Sequence, residues 1–346
     1  MRHPAAERSS GRAPSPAPRH VRTLVLSHFR TLVLHEETPG IHRIDLGWNG
    51  HPGQVASYLL DGGDGLAVVE TGPTSTLGAV LDGIRAIGRE PAEVTHILVT
   101  HIHLDHAGGA GALLRHAPGA RVHVHPNGAA HLADPSRLIA SASQLYGAMM
   151  DTLWGEMVPV PRDRLVVLED GAEVRVGTRR LRAVDTPGHA IHHHAYHDPG
   201  ANVVFTGDVG GIRVDRLPYV TAPTPPPDID LDAWHRSLAR LRELRPEMLL
   251  LTHFGGIGDP AWHLDDLAAR LRGWEAWMAR QAAAGVTGRA LAAATAAHAT
   301  GEILAATGSQ AAADAYELTV PYPMMAAGLE RWWKKHRATP PAGGAR

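Results

Sequence analysis

A strand that runs directly into four closely spaced metal-binding side chains limits what this chain can fold into. The apolar run Thr95-His96-Ile97-Leu98-Val99-Thr100 reads as a buried strand, and His101-Ile102-His103-Leu104-Asp105-His106 follows it without a break. Gly108 and Gly109 come next, before a helix-like stretch. Neutral imidazole and carboxylate are the ligands that zinc and iron(II) take when no thiolate is on offer. The chain has no cysteine, which also excludes disulfides and a thiol nucleophile.

Other polar residues stand just past apolar runs further along. His189 lies in Thr186-Pro187-Gly188-His189, Asp208 in Phe205-Thr206-Gly207-Asp208 and His253 in Leu250-Leu251-Thr252-His253. Strand ends of this kind let loops bring distant residues to one site on a rigid scaffold. His-x-His-x-Asp-His, then Thr-Pro-Gly-His, then Thr-Gly-Asp, then a late strand-end histidine, resembles the metallo-β-lactamase-fold metallohydrolase superfamily. The glyoxalase II-like branch is the nearest in pattern. The resemblance covers roughly residues 30 to 255, and four motifs in register make it specific.

The resemblance implies two divalent metal ions, with zinc first in rank and iron or manganese as alternatives. His101, His103 and His189 would hold the first ion, Asp105, His106 and His253 the second, and Asp208 would bridge them. Alternate residues such as His101 and His103 can point the same way. The implied reaction is attack of a bridging hydroxide on a carbonyl carbon, with Asp105 as the catalytic residue that orients it or shuttles its proton. A thioester is the first substrate class, and a lactone or other carboxylic ester the next. A mononuclear iron enzyme similar to persulfide dioxygenases, built on His101, His189 and Asp208, is an alternative, as is a regulatory protein with a residual metal site. The family usually has Asp at an early strand end, where this chain has Glu70 in Val68-Val69-Glu70-Thr71-Gly72. The implied role is to orient a ligand histidine or the metal loop. A carboxylate capping the following turn is the competing reading.

Net charge is −2, with no Lys/Arg block in the core, so a phosphate-backbone partner is not expected. No window reaches the ~18 apolar residues of a membrane-spanning helix. The expected partner is a small-molecule substrate, with neither nucleic acid nor membrane, and a homodimer compatible with the rest. Residues 1–20 are rich in Pro, Ala, Arg and Ser without the apolar segment of a secretory signal, and are expected to be a disordered leader of a cytoplasmic protein.

Short strands are expected near Thr31–His35, Ile41–Leu46, Val55–Leu60, Leu66–Glu70, Arg121–His125, Leu165–Leu168, Glu173–Val176, Arg180–Val184, His194–His197, Asn202–Phe205 and Met248–Leu251. Helices are expected over Ser75–Ile87, Gly109–His116, Pro135–Leu153 and Asp230–Leu244. With the resemblance this makes an α/β fold, a four-layer αβ/βα sandwich over residues 21–257. An alanine-rich helical C-terminal subdomain follows over 258–338, with helices over Pro260–Ala284, Ala290–Ala306 and Ser309–His336 and an apolar stripe at Leu264, Leu267, Leu271, Trp274 and Met278. Residues 339–346 are expected to be a disordered tail.

Several residues have two readings. Trp274, Trp277, Trp332 and Trp333 are core first and an apolar substrate wall second. Lys334 and Lys335 read as a solvated helix end, or as recognition of an anionic tail. His192, His193 and His194 read as structural or solvent-facing. Pro223 and Pro225 to Pro227 read as a loop bordering the active site or a plain rigid connection. Tyr146 and Tyr316 are candidate oxyanion donors without local support.

Overall fold

A computed structural model of the chain describes residues 21–25, 31–214 and 217–337. The leader and tail expected over 1–20 and 339–346 lie outside the described residues. Among the described residues fourteen strands form two sheets. The first holds β1 (Val21–Val25), β2 (Thr31–Thr38), β3 (Ile41–Asp45), β4 (Ala56–Asp61), β5 (Leu66–Val69), β6 (Val94–Leu98), β7 (Arg121–Val124) and β8 (Leu165–Val167), in sequence order. The second holds β9 (Glu173–Val176), β10 (Arg179–Asp185), β11 (His194–Asp198), β12 (Val203–Phe205), β13 (Met248–Leu251) and β14 (Gly255–Ile257). Pairing is antiparallel up to β5 and parallel from β5 to β8. In the second sheet only β12 and β13 are parallel.

The period of two along each strand divides the apolar residues between layers. Tyr58, Leu60, Ala67, Val69 and Leu98 of the first sheet meet Val176, Leu181, Tyr196 and Phe205 of the second in an inter-sheet core. Their neighbours Leu59, Val68 and Ile97 face the other way, into a cluster with the helix α1 (Leu77–Ala86). Ten further helices are described: α2 (Leu104–Ala107), α3 (Ala110–Leu113), α4 (Pro126–Ala133), α5 (Ser136–Tyr146), α6 (Met150–Leu153), α7 (Leu231–Glu243), α8 (Pro260–Ala283), α9 (Gly288–Thr307), α10 (Gln310–Thr319) and α11 (Tyr322–His336). Helix α7 begins at Asp230, whose carboxylate accepts from the Ala233 N–H at 3.0 Å, a side-chain cap. It links the parallel strands β12 and β13, as α1 links β5 and β6. The result is the expected four-layer sandwich with a C-terminal helical extension.

The expected stripe of α8 is buried throughout, in one cluster with Trp234 and Leu238 of α7, Val204 and Leu249 of the second sheet, and the later helices. The extension therefore shares the core of the sandwich. Two expected single helices are broken. The stretch Pro135–Leu153 interrupts at Gly147, where φ is +52°. The stretch after Ser309 divides into α10 and α11 at Val320–Pro321, because Pro321 and Pro323 cannot donate the backbone hydrogen bonds of a continuous helix. Helix α3 is shorter than Gly109–His116, and α4, β1 and β14 have no counterpart in the sequence reading. Among the described residues no helix is long and apolar enough to cross a membrane.

Candidate metal centre

Strand ends bring the seven expected ligands together. His101 and His103 leave β6, and the helical turn α2 carries Asp105 and His106. His189 follows β10, Asp208 follows β12 and His253 follows β13. Donor atoms of His101, His103, His189 and Asp208 form one group, and those of Asp105, His106 and His253 another, each within 4.8 Å. His103 Nδ1 is 2.9 Å from His101 Nε2 and 2.9 Å from His189 Nε2. Asp208 faces both groups. Its Oδ1 is 3.1 Å from His106 Nε2 and 3.4 Å from His253 Nε2, while its Oδ2 is 3.3 Å from His189 Nε2.

The approach of these loops depends on two glycines. At Gly207, φ is +51° and a Cβ would lie 2.4 Å from Thr100 Oγ1 and 2.7 Å from His193 Nε2. At Gly188, φ is +145° and a Cβ would lie 2.4 Å from Trp234 Cα, where the loop rests on α7. Glycine alone supplies both the dihedral and the space.

Three of the clustered histidines are oriented by the ring nitrogen that faces away from the cluster. His106 Nδ1 is 3.0 Å from Glu70 Oε2, His189 Nδ1 donates to Pro223 O at 3.0 Å, and His253 Nδ1 donates to Gln54 O at 2.6 Å. With Nδ1 protonated, the Nε2 lone pair of each is left for the cluster. Glu70 also accepts the Thr100 N–H at 2.9 Å through Oε1, which joins the metal loop to the end of β5. It holds the His106 ring and the start of the metal loop from φ +61°, a left-handed conformation unusual for glutamate. It is not one of the grouped ligands.

Electrostatics divides the cluster. Burial holds His101 well below the usual histidine range and pushes His103 down to about 3, so both are neutral near pH 7. At His106 and His253 burial acts the same way, but the carboxylates of Asp208 and Asp105 outweigh it and raise both. Burial alone would raise Asp208, but the imidazoles of His106, His189 and His253 hold it well below the ordinary carboxylate range. Asp208 Oδ1 and His106 Nε2 are buried face to face at 3.1 Å. Imidazole nitrogens converging on ionised carboxylates, those of His101, His103 and His189 held below the usual histidine range by burial, match the donor set of a hard or borderline divalent cation. The residues present fit the group that the fold implies.

A cleft of about 160 Å³ opens over the cluster, with His103, Asp105, His189, Asp208 and His253 in its lining. Trp48, Trp154, Leu138, Leu145 and Tyr146 supply one part of the wall, and Ile212, Pro223 and Pro225 to Pro227 another. Leu318, Val320, Met324 and Met325 complete it from the helical extension. The proline segment does border the site. The second reading of the tryptophans is overturned: Trp274, Trp277 and Trp332 are core, at 2%, 5% and 1% exposure, and Trp333 packs against the same cluster. Helix α11 turns its bulky aromatics inward and presents Met324 and Met325 to the cleft. Tyr146 reaches the cleft, whereas Tyr316 is buried against Tyr219 O. His192, His193 and His194 are all buried rather than solvent-facing, His193 between Thr186 Oγ1 and the Val209 N–H. Trp48 carried no signal in the sequence, since it lies in the loop between β3 and β4, and Val55 read only as the start of a strand.

With fold and cluster in place, the comparisons with known proteins agree. The family profile of the metallo-beta-lactamase superfamily matches residues 50–253. The chain belongs to the metallo-beta-lactamase superfamily, and the ligand-rich crater on that scaffold defines a metal-dependent hydrolase in the broad sense. A metallo-beta-lactamase fold-containing protein of Sulfurisphaera tokodaii is 28% identical over 226 residues, 64% of this chain and 80% of that protein. A hydroxyacylglutathione hydrolase of Cereibacter sphaeroides is 32% identical over 52% of this chain, and the match spans only 56% of that enzyme's length. An archaeal superfamily protein from Sulfolobus tokodaii superposes with a TM-score of 0.57 at 26% identity, over 68% of this chain and 86% of its own.

Proposed function

We propose that the protein is a dinuclear metal-dependent hydrolase that adds water across the acyl bond of a thioester, lactone or other carboxylic ester. The acyl carbon–sulfur or carbon–oxygen bond breaks, and the products are a carboxylic acid and a thiol or alcohol. The observation that carries this reading is the two-sided placement of Asp208 between the two histidine groups, at the base of an apolar cleft. His101, His103 and His189 would hold one ion, Asp105, His106 and His253 the other, and Asp208 both. Two such ions, with zinc as the first expectation and iron or manganese as alternatives, supply an activated water near neutral pH and polarise a carbonyl oxygen.

The chain's own residues supply the rest. Asp105 is open to the cleft, with a side chain 25% exposed, while His106 beside it is fully buried. Its Oδ2 lies 3.4 Å from His253 Nε2, and its carboxylate is held down at about 2, so it accepts a proton only transiently. Burial is the largest influence on Asp105 and opposes ionisation; the charges of His106 and His253 reverse it. Trp48, Trp154 and the prolines give the space above an apolar wall. The thioester class draws support from the hydroxyacylglutathione hydrolase similarity and from a 28% identity with thioesterase pkgB of Emericella nidulans over 38% of that protein.

The test is elemental analysis of protein purified without added metal, combined with oxygen uptake and a panel of acyl thioesters, lactones and esters. Close to two ions per chain, hydrolysis and no oxygen uptake are expected. One iron with oxygen uptake would replace this reading with the mononuclear dioxygenase.

A further inference from the structure

The cleft is as informative for what it lacks as for what it holds. Among the described residues no lysine or arginine lines it. Its ionisable lining consists of the ligand side chains His103, Asp105, His189, Asp208 and His253, and of Tyr146. Beyond these, only Ser141 and Thr319 bring side-chain hydroxyls. The rest is aromatic, aliphatic, thioether or proline. The apolar lining continues to the surface, because Leu145 is both part of the wall and 53% exposed.

The basic groups of α11 are outside the lining, with Arg331 nearest, on the carbonyl of the lining residue Pro227. Arg331 donates to the Pro227 carbonyl at 3.2 Å from an exposed position. Lys334 and Lys335 line a separate shallow groove with Glu330, and Lys334 is 2.6 Å from the Glu330 carboxylate. These lysines do not reach into the cleft, so their reading as recognition of an anionic tail finds no support in its lining. A carboxylate pressed against such a wall loses hydration and gains no cation, which is unfavourable. An alkyl or aryl group loses nothing and gains the burial of its own surface.

We propose that the cleft selects an uncharged substrate with apolar groups on both sides of the scissile bond, and discriminates against acyl thioesters whose leaving group carries carboxylates. This deepens the hydrolase reading above and rests on its assignment of the cleft as the substrate site. The specificity-determining residues are Leu145, Met324, Met325 and Val320 in the wall, none of which belongs to the ligand cluster.

The test separates binding from turnover. Two non-hydrolysable thioethers, S-hexyl-N-acetylcysteamine and S-hexylglutathione, present the same alkyl chain on a neutral and on a carboxylate-bearing group. Their affinities for the metal-loaded protein are measured by calorimetry. The neutral probe should bind at least about tenfold tighter, and extending hexyl to octyl should tighten it further, by roughly threefold per methylene. Met324→Lys places a cation at a half-buried position of the wall and should narrow the ratio about tenfold. Equal or tighter binding of S-hexylglutathione would overturn the proposal, and an unchanged ratio in Met324→Lys would overturn the assignment of selection to this wall. Hydrolysis of S-hexanoyl-N-acetylcysteamine is assayed separately. Its absence in a sample with two ions bound would remove the hydrolase reading, while the binding ratio would still decide the selectivity.

Discussion

Glu70 Oε2 lies 3.0 Å from His106 Nδ1 while Glu70 Oε1 accepts the Thr100 N–H, so one side chain sets both the ring and the strand end that precedes the ligand loop. Glu70→Gln keeps the size but removes the charge behind His106, and should weaken metal binding at the Asp105–His106–His253 group by about 10–100-fold. Glu70→Asp is one methylene short of spanning both contacts and should be impaired too. Titration against a competing chelator reads the affinity. Unaltered affinity in both variants would reduce Glu70 to a turn cap.

Asp208 contacts histidines of both groups. Asp208→Ala should therefore lower occupancy of both ions and abolish turnover, whereas Asp105→Asn should cost activity by orders of magnitude and leave the His101–His103–His189 group loaded. Elemental analysis of the two variants distinguishes these outcomes. Normal binding of two ions by Asp208→Ala would remove the bridging assignment.

Gly328 of α11 packs on the Thr224 carbonyl so closely that a Cβ would sit 1.9 Å from its oxygen. The adjacent Pro223 carbonyl receives the His189 Nδ1–H. Gly328→Ala should push this segment away, destabilise the fold by about 1–3 kcal/mol and weaken metal binding at His189. Thermal unfolding with and without chelator measures the two effects. Loss of stability with full affinity would mean that the push is absorbed before it reaches His189.

Met324→Ala and Trp332→Ala should separate wall from core. Trp332 is 1% exposed, and its truncation should cost about 3–5 kcal/mol of stability. Met324 lines the cleft, and its truncation should raise KM for an apolar substrate while metal content stays constant, a loss of ground-state binding. A substrate profile untouched by Met324→Ala would make the extension a purely structural or dimerisation element.

His123 gives a pH dependence away from the ligands. It is 6% exposed, and both its ring nitrogens are buried without a hydrogen-bond partner. Burial, followed by the charges of His96 and Arg121, pushes it down to about 3. The folded form then binds fewer protons than the unfolded chain below the ordinary histidine value of 6.5. Its contribution is intact above that value and is lost as pH falls toward 3, roughly 2 kcal/mol by pH 5. His123→Leu should therefore lose about that much less stability than the parent between pH 7 and 5. Identical losses in denaturant titrations at the two pH values would contradict this.

The expected ligands were legible because four of them stand just past a strand end, and strand ends are written locally, as an apolar run stopped by a polar residue. His101, His189, Asp208 and His253 all obey that rule. The edges of helices were less legible where proline or glycine decides, as at Gly147 and Pro321. The cleft wall was least legible. Whether Trp332 or Met325 faces the cleft depends on how α11 rotates against α8 and α9, and both residues are equally apolar in sequence. Trp48 reaches the site through a hydrogen bond from its Nε1 to Leu153 O, 105 residues away, which no local pattern records.

The ligand cluster lies across the seam of the two sheets: four of its side chains leave the end of β6 in the first, and three leave β10, β12 and β13 in the second. An ion held there fastens one half of the sandwich to the other. Resistance to unfolding then becomes a function of the surrounding free metal concentration, growing as RT ln(1 + [M]/Kd) for each site. The same chain would behave as a sturdier protein in a metal-replete compartment and a softer one in a starved one. Its lifetime in a cell would report metal supply as directly as its turnover does.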